Sequence, residues 1–411
     1  MLLIYRFLIN LILIISPIIF VIRFLKNKET FKSYREKLGF FSKKRNNGNL
    51  IWFHGASVGE LQSIIPLLEK YERNNKISQI LISSNTLSSL SVIKKTNFKK
   101  ITHQFFPIDS NFITKKYIDY WKPSKVYFVD SEIWPNMIFN LKEKKIPINL
   151  INGRITKRTF KKWKFLSKFS KDIFTKIDLC LASSKESAKY LKRLNVQNVK
   201  FFGNLKFAQS EKKISDIDKK LSNFLKTKKV WCASSTHNKE ELICAHVHLK
   251  LKKKFRNIVT IIIPRHAERA DEIKSELEKL NLCVHLDEQQ KKIEQNTDIY
   301  LVNSYGKTKK FFKNSKNVFL GGSLIKHGGQ NPLEAARFGC NILHGPNVDN
   351  FREIYEFLGR KKVSQRINGF SSFVGKLGKL LSKKKYSKSS QQNLKFIGEN
   401  ILKKTFKEIN N

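Results

Sequence analysis

Short runs of β-branched and aromatic residues alternate along this chain with longer segments that carry apolar residues at helical spacing. In the first half of the chain five such runs are predicted as strands, and they are Leu50–His54, Gln79–Ser83, Lys125–Val129, Ile146–Ile151 and Leu179–Ala182. The segment Gly59–Tyr71, after the first run, has the period of an amphipathic helix. Each run is followed by enough residues for a crossover helix, so the pattern predicts a mostly parallel α/β sheet with helices on both faces.

The alternation stops in a polar, lysine-rich stretch and then restarts. The second set of predicted strands comprises Val230–Ala233, Val259–Ile263, Asp298–Val302, Asn317–Leu320 and Asn341–Leu343. Two helical patches, Phe373–Leu381 and Asn393–Ile409, follow near the end of the chain. We therefore expect two doubly wound domains, at residues 26–209 and 228–374, with a linker at 210–227 and a basic helical tail at 375–411.

Residues 2–25 are apolar apart from a few positions, among them Arg6 and Arg23. The 16 residues between these arginines would form about 24 Å of helix, and the arginines can extend towards the headgroups of a bilayer with a hydrocarbon core of about 30 Å. A cleaved signal peptide is the alternative, but no small-residue cleavage site follows. Basic residues follow instead, which predicts a single-pass membrane anchor at residues 1–25 with the body of the protein in the cytoplasm.

The chain carries 80 Lys and Arg residues against 33 Asp and Glu, a net charge of +47. Such an excess favours polyanionic partners, which are nucleic acid, an anionic membrane surface or a phosphorylated substrate. An AT-rich genome gives the same enrichment in Lys, Ile, Asn and Phe, so the charge alone does not choose among them. The five cysteines are scattered without a C-x-x-C pair, which argues against a disulfide framework or a zinc site and fits a reducing compartment.

Residues with catalytic chemistry lie after the predicted strands, at the edge where open α/β sheets bind ligands. The first strand leads into Gly-Ala-Ser-Val-Gly-Glu, in which Ser57 and Gly59 belong to a tight turn whose amides suit an anion. Glu60 begins the following helix and has two interpretations. It is either an acid that complements the helix dipole or a general base directed at a substrate.

A later strand ends in Asp130-Ser131-Glu132, two carboxylates separated by one residue. Asp130 or Ser131 is either the cap of the next helix or part of a site. Arg154 follows the next strand and is expected to hold an anion or a carboxylate. Lys206, at the end of the first domain, supplies a further cation near a cleft between the domains.

The second domain contains residue types that suit phosphate. Ser235 and Arg265 each lie between a predicted strand and a helix, and a glycine-rich turn with Gly322 and Ser323 leads to a helix with Glu334 in its first turn. Amides for a phosphate and an acid for ribose hydroxyls are typical of nucleotide sites. The turn is neither a Walker A loop nor G-x-G-x-x-G, and the nine histidines have no metal-binding spacing, so we expect no metal site.

These residues belong to the motifs HGASVGE, VDSEIWPN, NGRIT, GNLKF, ASSTHNKEE, IIPRHAER, FLGGSLIKHGGQNPLEAA and GPNVDNFREI. In their order and spacing the chain resembles, over essentially its whole length, the bacterial 3-deoxy-D-manno-octulosonic acid (Kdo) transferases of lipopolysaccharide synthesis. The resemblance implies a GT-B glycosyltransferase with two Rossmann-like domains that face an interdomain cleft, the acceptor site in the first and the donor site in the second. It also implies inverting transfer of Kdo from CMP-Kdo to the lipid A precursor (lipid IVA) at the inner membrane, without a cofactor or metal.

Matched position by position, the resemblance implies that Glu60 is the general base and that Asp130 and Lys206 stabilise the transition state. The positions that match the family's CMP-binding residues are Pro264, Arg265, Tyr305, Gly306, Lys307, Asn331, Pro332, Leu333 and Glu334. The family usually has Glu-Thr-Glu where this chain has Asp130-Ser131-Glu132, so Glu132 is a rival to the shorter Asp130. Lys307 stands where an acid is usual, which makes a contact with a phosphate an alternative role for it.

Two other functions would fit parts of the sequence. A membrane-tethered nucleic-acid-binding protein would explain the charge, but it predicts aromatic residues interleaved with basic ones on one surface. Here the aromatic residues lie mostly in apolar periodic runs, so we expect no nucleic-acid partner. A GT-B glycosyltransferase with a different donor, or a family member without activity, would keep the same fold.

Overall fold

The computed structural model describes residues 1–209, 215–287, 292–383 and 389–410. The chain divides into two compact units, which are Met1–Ser210 with Ile397–Asn411 (unit 1) and Glu211–Phe396 (unit 2). The helices, in chain order, are α1 (Leu2–Leu25), α2 (Phe31–Lys37), α3 (Val58–Glu72), α4 (Leu87–Lys94), α5 (Asn111–Trp121), α6 (Pro135–Glu143), α7 (Lys157–Phe165), α8 (Ser167–Phe174), α9 (Lys185–Arg193), α10 (Lys219–Lys226), α11 (Glu240–Lys252), α12 (Ala270–Glu278), α13 (Thr308–Asn314), α14 (Leu333–Arg337), α15 (Arg352–Arg360), α16 (Phe370–Leu381) and α17 (Ser389–Asn410).

Each unit is built around one parallel sheet. The strands of unit 1 are β1 (Leu50–His54), β2 (Gln79–Ser84), β3 (Ile101–Phe105), β4 (Lys125–Val129), β5 (Ile148–Gly153), β6 (Leu179–Ala182) and β7 (Val199–Phe201). The strands of unit 2 are β8 (Lys229–Thr236), β9 (Ile258–Pro264), β10 (Val284–Leu286), β11 (Ile299–Leu301), β12 (Asn317–Leu320), β13 (Asn341–His344) and β14 (Ser364–Arg366).

The sheet of unit 1 has the strand order β3-β2-β1-β4-β5-β6-β7. The chain therefore winds outwards from β1 in one direction and from β4 in the other, and these two strands pair with Phe53 opposite Tyr127. In doubly wound sheets the crevice at the carboxyl ends of the two strands that flank such a reversal is the usual ligand site. The segments that follow β1 and β4 are therefore the first place to look for chemistry in unit 1.

Helices cover both faces of this sheet, which explains why β1 is apolar throughout. Trp52 packs on one face, with its ring centroid 5.1 Å from that of Tyr117 in α5. Its neighbour Phe53 packs on the opposite face, where it stacks on Tyr127 at 4.5 Å. Every side chain of β1 is buried, so the strand fixes the position of the turn that follows it.

The sheet of unit 2 has the order β10-β11-β9-β8-β12-β13-β14, and its reversal lies between β8 and β12. Its core contains Trp231 on β8, Phe319 on β12 and Phe373 on α16. Two doubly wound parallel sheets, one in each unit, confirm the α/β fold that the alternating pattern predicts.

The residues predicted as a basic tail are divided between the two units. Helix α16 packs Phe373 and Leu377 into the core of unit 2, whereas α17 packs Ile401 and Ile409 into the core of unit 1. Both helices therefore bury apolar side chains, each in a different unit. Within the stretch predicted as a linker, residues 210–214 lie outside the described residues, and Lys219–Lys226 forms α10 with three buried apolar side chains.

An 18-residue stretch of α1 has a mean hydropathy of 2.6, and α1 is the one helix among the described residues that is long and apolar enough to cross a membrane. Most of its apolar side chains are exposed, including Leu3, Phe7 and Ile14. Its 24 residues extend over about 36 Å. These properties fit the predicted membrane anchor, while the single-pass orientation stays a prediction.

Candidate active site

The turn between β1 and α3 holds Glu60 in a reciprocal cap. The Glu60 carboxylate accepts hydrogen bonds from the Ala56 N–H (2.7 Å) and from the Ser57 hydroxyl (2.8 Å), and the Glu60 N–H donates to Ser57 Oγ at 3.3 Å. The amides of Ala56 and Glu60 are thus occupied within the protein, and the predicted contact of the other amides of this turn with an anion stays a prediction. Gly59 lies in the first turn of α3 with open space where a Cβ would stand, so no tight approach explains it.

Asp130 directly follows β4 and points its carboxylate at Lys206. The residue adopts a left-handed backbone conformation (φ +64°), which Asp tolerates better than most side chains, and it is buried. Its Oδ2 atom lies 3.4 Å from Lys206 Nζ. Asn152 helps to fix the backbone next to this cation, because its Oδ1 atom accepts the N–H of Leu205, the residue before Lys206, at 3.0 Å. The structure therefore brings the predicted pair Asp130 and Lys206 together.

Glu132 has different partners. Its carboxylate lies 3.1 Å from Nε2 of the buried His54 and accepts the indole N–H of Trp134 at 2.8 Å. The other ring nitrogen of His54 contacts Ser83 Oγ at 3.0 Å. Asp130 rather than Glu132 therefore carries the contact with Lys206, and the choice between these two acids for a role in catalysis stays a prediction.

The two neighbouring carboxylates act electrostatically on Glu60. Burial, and then the negative charges of Glu132 and Asp130, raise the pKa of Glu60 to about 7, although hydrogen bonds from Ser57 and Ala56 oppose the rise. A carboxylate with this pKa can accept a proton near neutral pH and release it again. The capping interpretation and the base interpretation of Glu60 are therefore compatible in this structure.

Neither Asp130 nor Ser131 caps α6. The N-cap of α6 is Trp134, without a side-chain bond, and Pro135 occupies the first helical position. The first amides of α6 are capped by Asp109, whose carboxylate accepts the N–H of Asn136 (3.0 Å) and of Met137 (2.8 Å). Sequence reasoning missed Asp109. The signal available for it was an acid in the short segment between Phe105-Phe106 and the amphipathic helix α5.

Arg154 lies next to this cluster through its main chain. Its N–H donates to the carbonyl oxygen of Asp130 at 3.0 Å, and its side chain is exposed. The predicted contact of its guanidinium with an anion or carboxylate stays a prediction.

In unit 2 a second residue that sequence reasoning missed, Glu240, occupies the glycine-rich turn. Its fully buried carboxylate accepts the N–H of His237 (3.0 Å) and of three consecutive residues in the loop after β12, which are Gly322 (2.6 Å), Ser323 (3.1 Å) and Leu324 (3.0 Å). The predicted role of the Gly322 and Ser323 amides in binding phosphate is therefore corrected, because a protein carboxylate already holds them.

The glycine before this loop is required by a close approach of two strands. A Cβ on Gly321 would lie 2.4 Å from the carbonyl oxygen of Ser235 and 2.6 Å from the Cα of Thr236. Ser235 itself has a left-handed backbone (φ +55°) at the end of β8. The ends of β8 and β12 are thus held together at the reversal of the second sheet.

Basic and histidine side chains gather beside these loops. His237 lies with its ring centroid 4.2 Å from that of His327 and 6.1 Å from that of His266, and its Nε2 atom is 3.3 Å from Gln330 Nε2. Burial, and then nearby positive groups that include Arg265, lower the pKa of His237 to about 4. Burial disfavours charge of either sign, whereas the positive groups that contribute to this shift favour a bound anion.

Of the remaining residues predicted to bind CMP, Tyr305 and Lys307 have side-chain partners within the protein. Pro264 is the buried last residue of β9. The Tyr305 hydroxyl donates to Glu268 Oε2 at 2.5 Å. Gly306 has a positive φ of +85°. Lys307 Nζ lies 2.6 Å from Asp287 Oδ2, so the lysine that stands where the family usually has an acid is accommodated by an ion pair.

The segment from Asn331 to Glu334 forms the start of α14. Asn331 Oδ1 accepts the N–H of Leu333 at 3.1 Å, and Pro332 is the N-cap residue. Glu334 is half-exposed, with Oε1 3.7 Å from Lys309 Nζ. Glu334 is therefore accessible to a ligand, as the prediction requires.

The fold and the two sites define a GT-B-type α/β protein. The crystal structure of UDP-GlcNAc 2-epimerase from Neisseria meningitidis bound to UDP-GlcNAc matches with a TM-score of 0.58 and 12% identity, covering 89% of this chain and 100% of that one. At this identity the likeness concerns the fold alone. It agrees with the two parallel seven-stranded sheets.

Sequence comparisons give the family. A family model described as 3-Deoxy-D-manno-octulosonic-acid transferase (kdotransferase) matches residues 32–209. The 3-deoxy-D-manno-octulosonic acid transferase of Rickettsia bellii is 32% identical and covers 96% of this chain and 95% of its own length. That of Haemophilus influenzae is 26% identical, with 86% and 83% covered. The chain belongs to the Kdo transferase family of glycosyltransferases.

Proposed function

We propose that this protein transfers Kdo from CMP-Kdo to the lipid A precursor (lipid IVA), with inversion at the anomeric carbon, without a metal and with Glu60 as general base. The observation that carries the proposal is the half-buried carboxylate of Glu60, whose pKa is raised to about 7 beside Asp130 and Glu132, in a chain of the Kdo transferase family. A base with this pKa suits the deprotonation of a sugar hydroxyl at neutral pH.

In the proposed reaction a hydroxyl oxygen of the acceptor attacks the anomeric carbon of Kdo, and its proton passes to Glu60. The new C–O bond forms while the bond from the anomeric carbon to the CMP phosphate oxygen breaks. The electron pair leaves with the phosphate, so the products are the Kdo-bearing lipid and CMP. Lys206, oriented by Asp130, supplies positive charge in the transition state.

We assign CMP to the basic and histidine cluster of unit 2. Arg265, one of the positive groups around His237, favours the negative charge that grows on the phosphate as CMP leaves. The segments Tyr305–Lys307 and Asn331–Glu334 complete this proposed donor site. Glu334, half-exposed at the start of α14, is the acid proposed for the ribose hydroxyls.

We propose that α1 anchors the protein at the cytoplasmic face of the inner membrane, where an acylated acceptor resides. The net charge of +47 supports this location, because each well-placed Lys or Arg near an anionic surface contributes about 1 kcal/mol of attraction. The same charge would attract the phosphates of a lipid A precursor.

The test of the base is Glu60→Gln, which removes the carboxylate and keeps its shape. Release of CMP from CMP-Kdo in the presence of lipid IVA is expected to fall by about 100-fold or more, while CMP binding is retained. The matched control is Glu69→Gln, an exposed acid on the same helix, which should leave the rate unchanged. Near-normal turnover of Glu60→Gln would show that another group is the base.

Two further measurements test the remaining parts of the proposal. Activity should survive treatment with EDTA if no metal takes part. Mass spectrometry of the lipid product identifies the sugar, the acceptor and the number of additions. A product with another sugar would favour a GT-B glycosyltransferase of different donor specificity.

A further inference from the structure

One stripe of α1 contacts unit 1 along most of the helix. Near its N-terminal end the ring of Tyr5 lies 6.1 Å from that of Phe169 and packs against the core. Further along, Ser16 Oγ lies 3.1 Å from the Tyr34 hydroxyl, and Phe20 stacks on Tyr34 at 4.3 Å. The apolar helix proposed as the membrane anchor is therefore also a packed part of unit 1.

The hydroxyl of Tyr5 reaches a buried carboxylate. It donates to Asp109 Oδ2 at 2.8 Å, and Asp109 is only 2% exposed. The same carboxylate accepts the N–H of Asn136 and of Met137, two amides in the first turn of α6 that have no partner within the helix. Asp109 thus connects α1 to the start of α6.

The next residue of α1 makes a parallel connection. Arg6 Nε donates to Asn136 Oδ1 at 3.0 Å, and Asn136 is fully buried. The amide of Asn136 in turn donates from Nδ2 to the carbonyl oxygen of Asp109 at 2.6 Å. Tyr5 and Arg6 of α1 therefore hydrogen-bond to Asp109 and Asn136, the two residues that fix the beginning of α6.

The beginning of α6 sets the position of the carboxylate loop, residues 130–134. Helix α6 starts at Pro135, directly after Trp134, whose indole donates to Glu132. Asp130 stands at the other end of the same short loop, held to β5 by the bond from its N–H to the Ile151 carbonyl (3.0 Å). With one end fixed to the sheet, a shift of the first turn of α6 moves the loop and its carboxylates relative to Glu60.

We propose that Tyr5 and Arg6 are positioning residues, through which the membrane-anchoring helix holds the carboxylate loop in its active geometry. A helix that served only to attach the protein to a membrane would need neither of these partly buried hydrogen bonds. The proposal rests on the proposed function for the role of the loop, and its structural part is independent of that function.

The test compares two tyrosine hydroxyls that join α1 to the rest of unit 1, one on α1 (Tyr5) and one on α2 (Tyr34). Tyr5→Phe keeps the ring and removes the bond to Asp109, whereas the matched control Tyr34→Phe removes the contact with Ser16 and keeps its ring on Phe20. Both full-length variants are measured in phospholipid vesicles. Hydrogen exchange of the Asn136 and Met137 amides is expected to rise about tenfold in Tyr5→Phe, as for the loss of one hydrogen bond, and to stay unchanged in the control.

Turnover supplies the second readout. In Tyr5→Phe, kcat is expected to fall about tenfold with an unchanged KM for CMP-Kdo, while Tyr34→Phe keeps both values. Unchanged exchange at the two amides, or an equal loss of kcat in both variants, overturns the proposal. Absence of turnover in the wild-type protein would count against the proposed function alone, since the exchange measurement needs no substrate.

Discussion

The Glu60 carboxyl group acts as a base only in its ionised form, so its pKa sets the pH range of the proposed activity. Because burial and the charges of Glu132 and Asp130 raise that pKa to about 7, kcat/KM is expected to be lost as the pH falls below this value. Glu132→Gln removes one of the charges, so the acid limb of the pH–rate profile should move to lower pH. The Glu69→Gln profile is the control, and identical acid limbs for wild type and Glu132→Gln would contradict the electrostatic explanation.

Lys206 is expected to affect both stability and turnover, since its ammonium is the partner of the buried Asp130 carboxylate. Lys206→Met should lower the free energy of unfolding by about 1–3 kcal/mol, because a buried charge loses its partner, and should lower turnover as well. Adding Asp130→Asn removes that charge, so the double variant should regain stability without regaining activity. Chemical unfolding and CMP release check the two effects. If the double variant is as unstable as Lys206→Met, the unpaired Asp130 charge is not the cause of the lost stability.

The site residues that the sequence predicts are marked by their immediate neighbours in the chain, whereas the missed ones are defined by partners far away in sequence. Glu60, Asp130 and Lys206 each follow a strand or motif that is visible in the sequence. Asp109 and Glu240 act on amides that lie 27 and 82 residues further along the chain, at Asn136 and Gly322. A local pattern contains no information about such partners, so each acid looks like an ordinary residue of a loop or of a first helical turn.

Among the elements, the strands that the sequence did not predict are β3, β7, β10 and β14, which are the edge strands of the two sheets. A central strand pairs on both sides and is covered on both faces, so it is apolar throughout. An edge strand is shorter and partly exposed. Val199–Phe201 and Ser364–Arg366 illustrate this, with three residues each and partly exposed side chains. Hydrophobic runs therefore predict the centre of a sheet better than its borders.

Glu240 connects two elements of unit 2, because its carboxylate binds the turn before α11 and the loop after β12. Glu240→Gln replaces one acceptor oxygen with a donor that faces N–H groups, so the free energy of unfolding should fall by about 1–3 kcal/mol for each buried N–H left unpaired. CMP binding should weaken too, since His237 lies on the turn. Urea unfolding and CMP titration measure both, with the exposed Glu278→Gln as control. Unchanged values in Glu240→Gln would mean that the loops hold their positions without the carboxylate.

For the whole molecule, the sequence predicts two α/β sets but not the position of the C-terminal helix. The amphipathic pattern of α17 requires a covered face, and nothing in the pattern identifies what covers it. In the structure its last turn reaches residues near the start of the chain, where the Tyr71 hydroxyl donates to Asn410 at 3.2 Å, 339 residues away. Contacts of this kind depend on the folded arrangement of unit 1 and not on local sequence.

The contacts of α1 also decide how the whole molecule would meet a membrane. If α1 keeps the bond of Tyr5 to Asp109 and the ion pair of Arg23 with Glu29, the helix lies along the rest of unit 1. Its exposed apolar side chains then enter the membrane surface, and its N-terminus stays on the cytoplasmic side. The single-pass arrangement predicted from sequence places the N-terminus across the bilayer. A cysteine inserted after Met1 reports on which side of the membrane the N-terminus lies. The experiment uses a Cys283→Ser background, because the other four cysteines are buried and would not react. We expect an impermeant maleimide to label it in inside-out vesicles and not in spheroplasts, whereas labelling in spheroplasts alone would mean that α1 crosses the bilayer and gives up its contacts with unit 1.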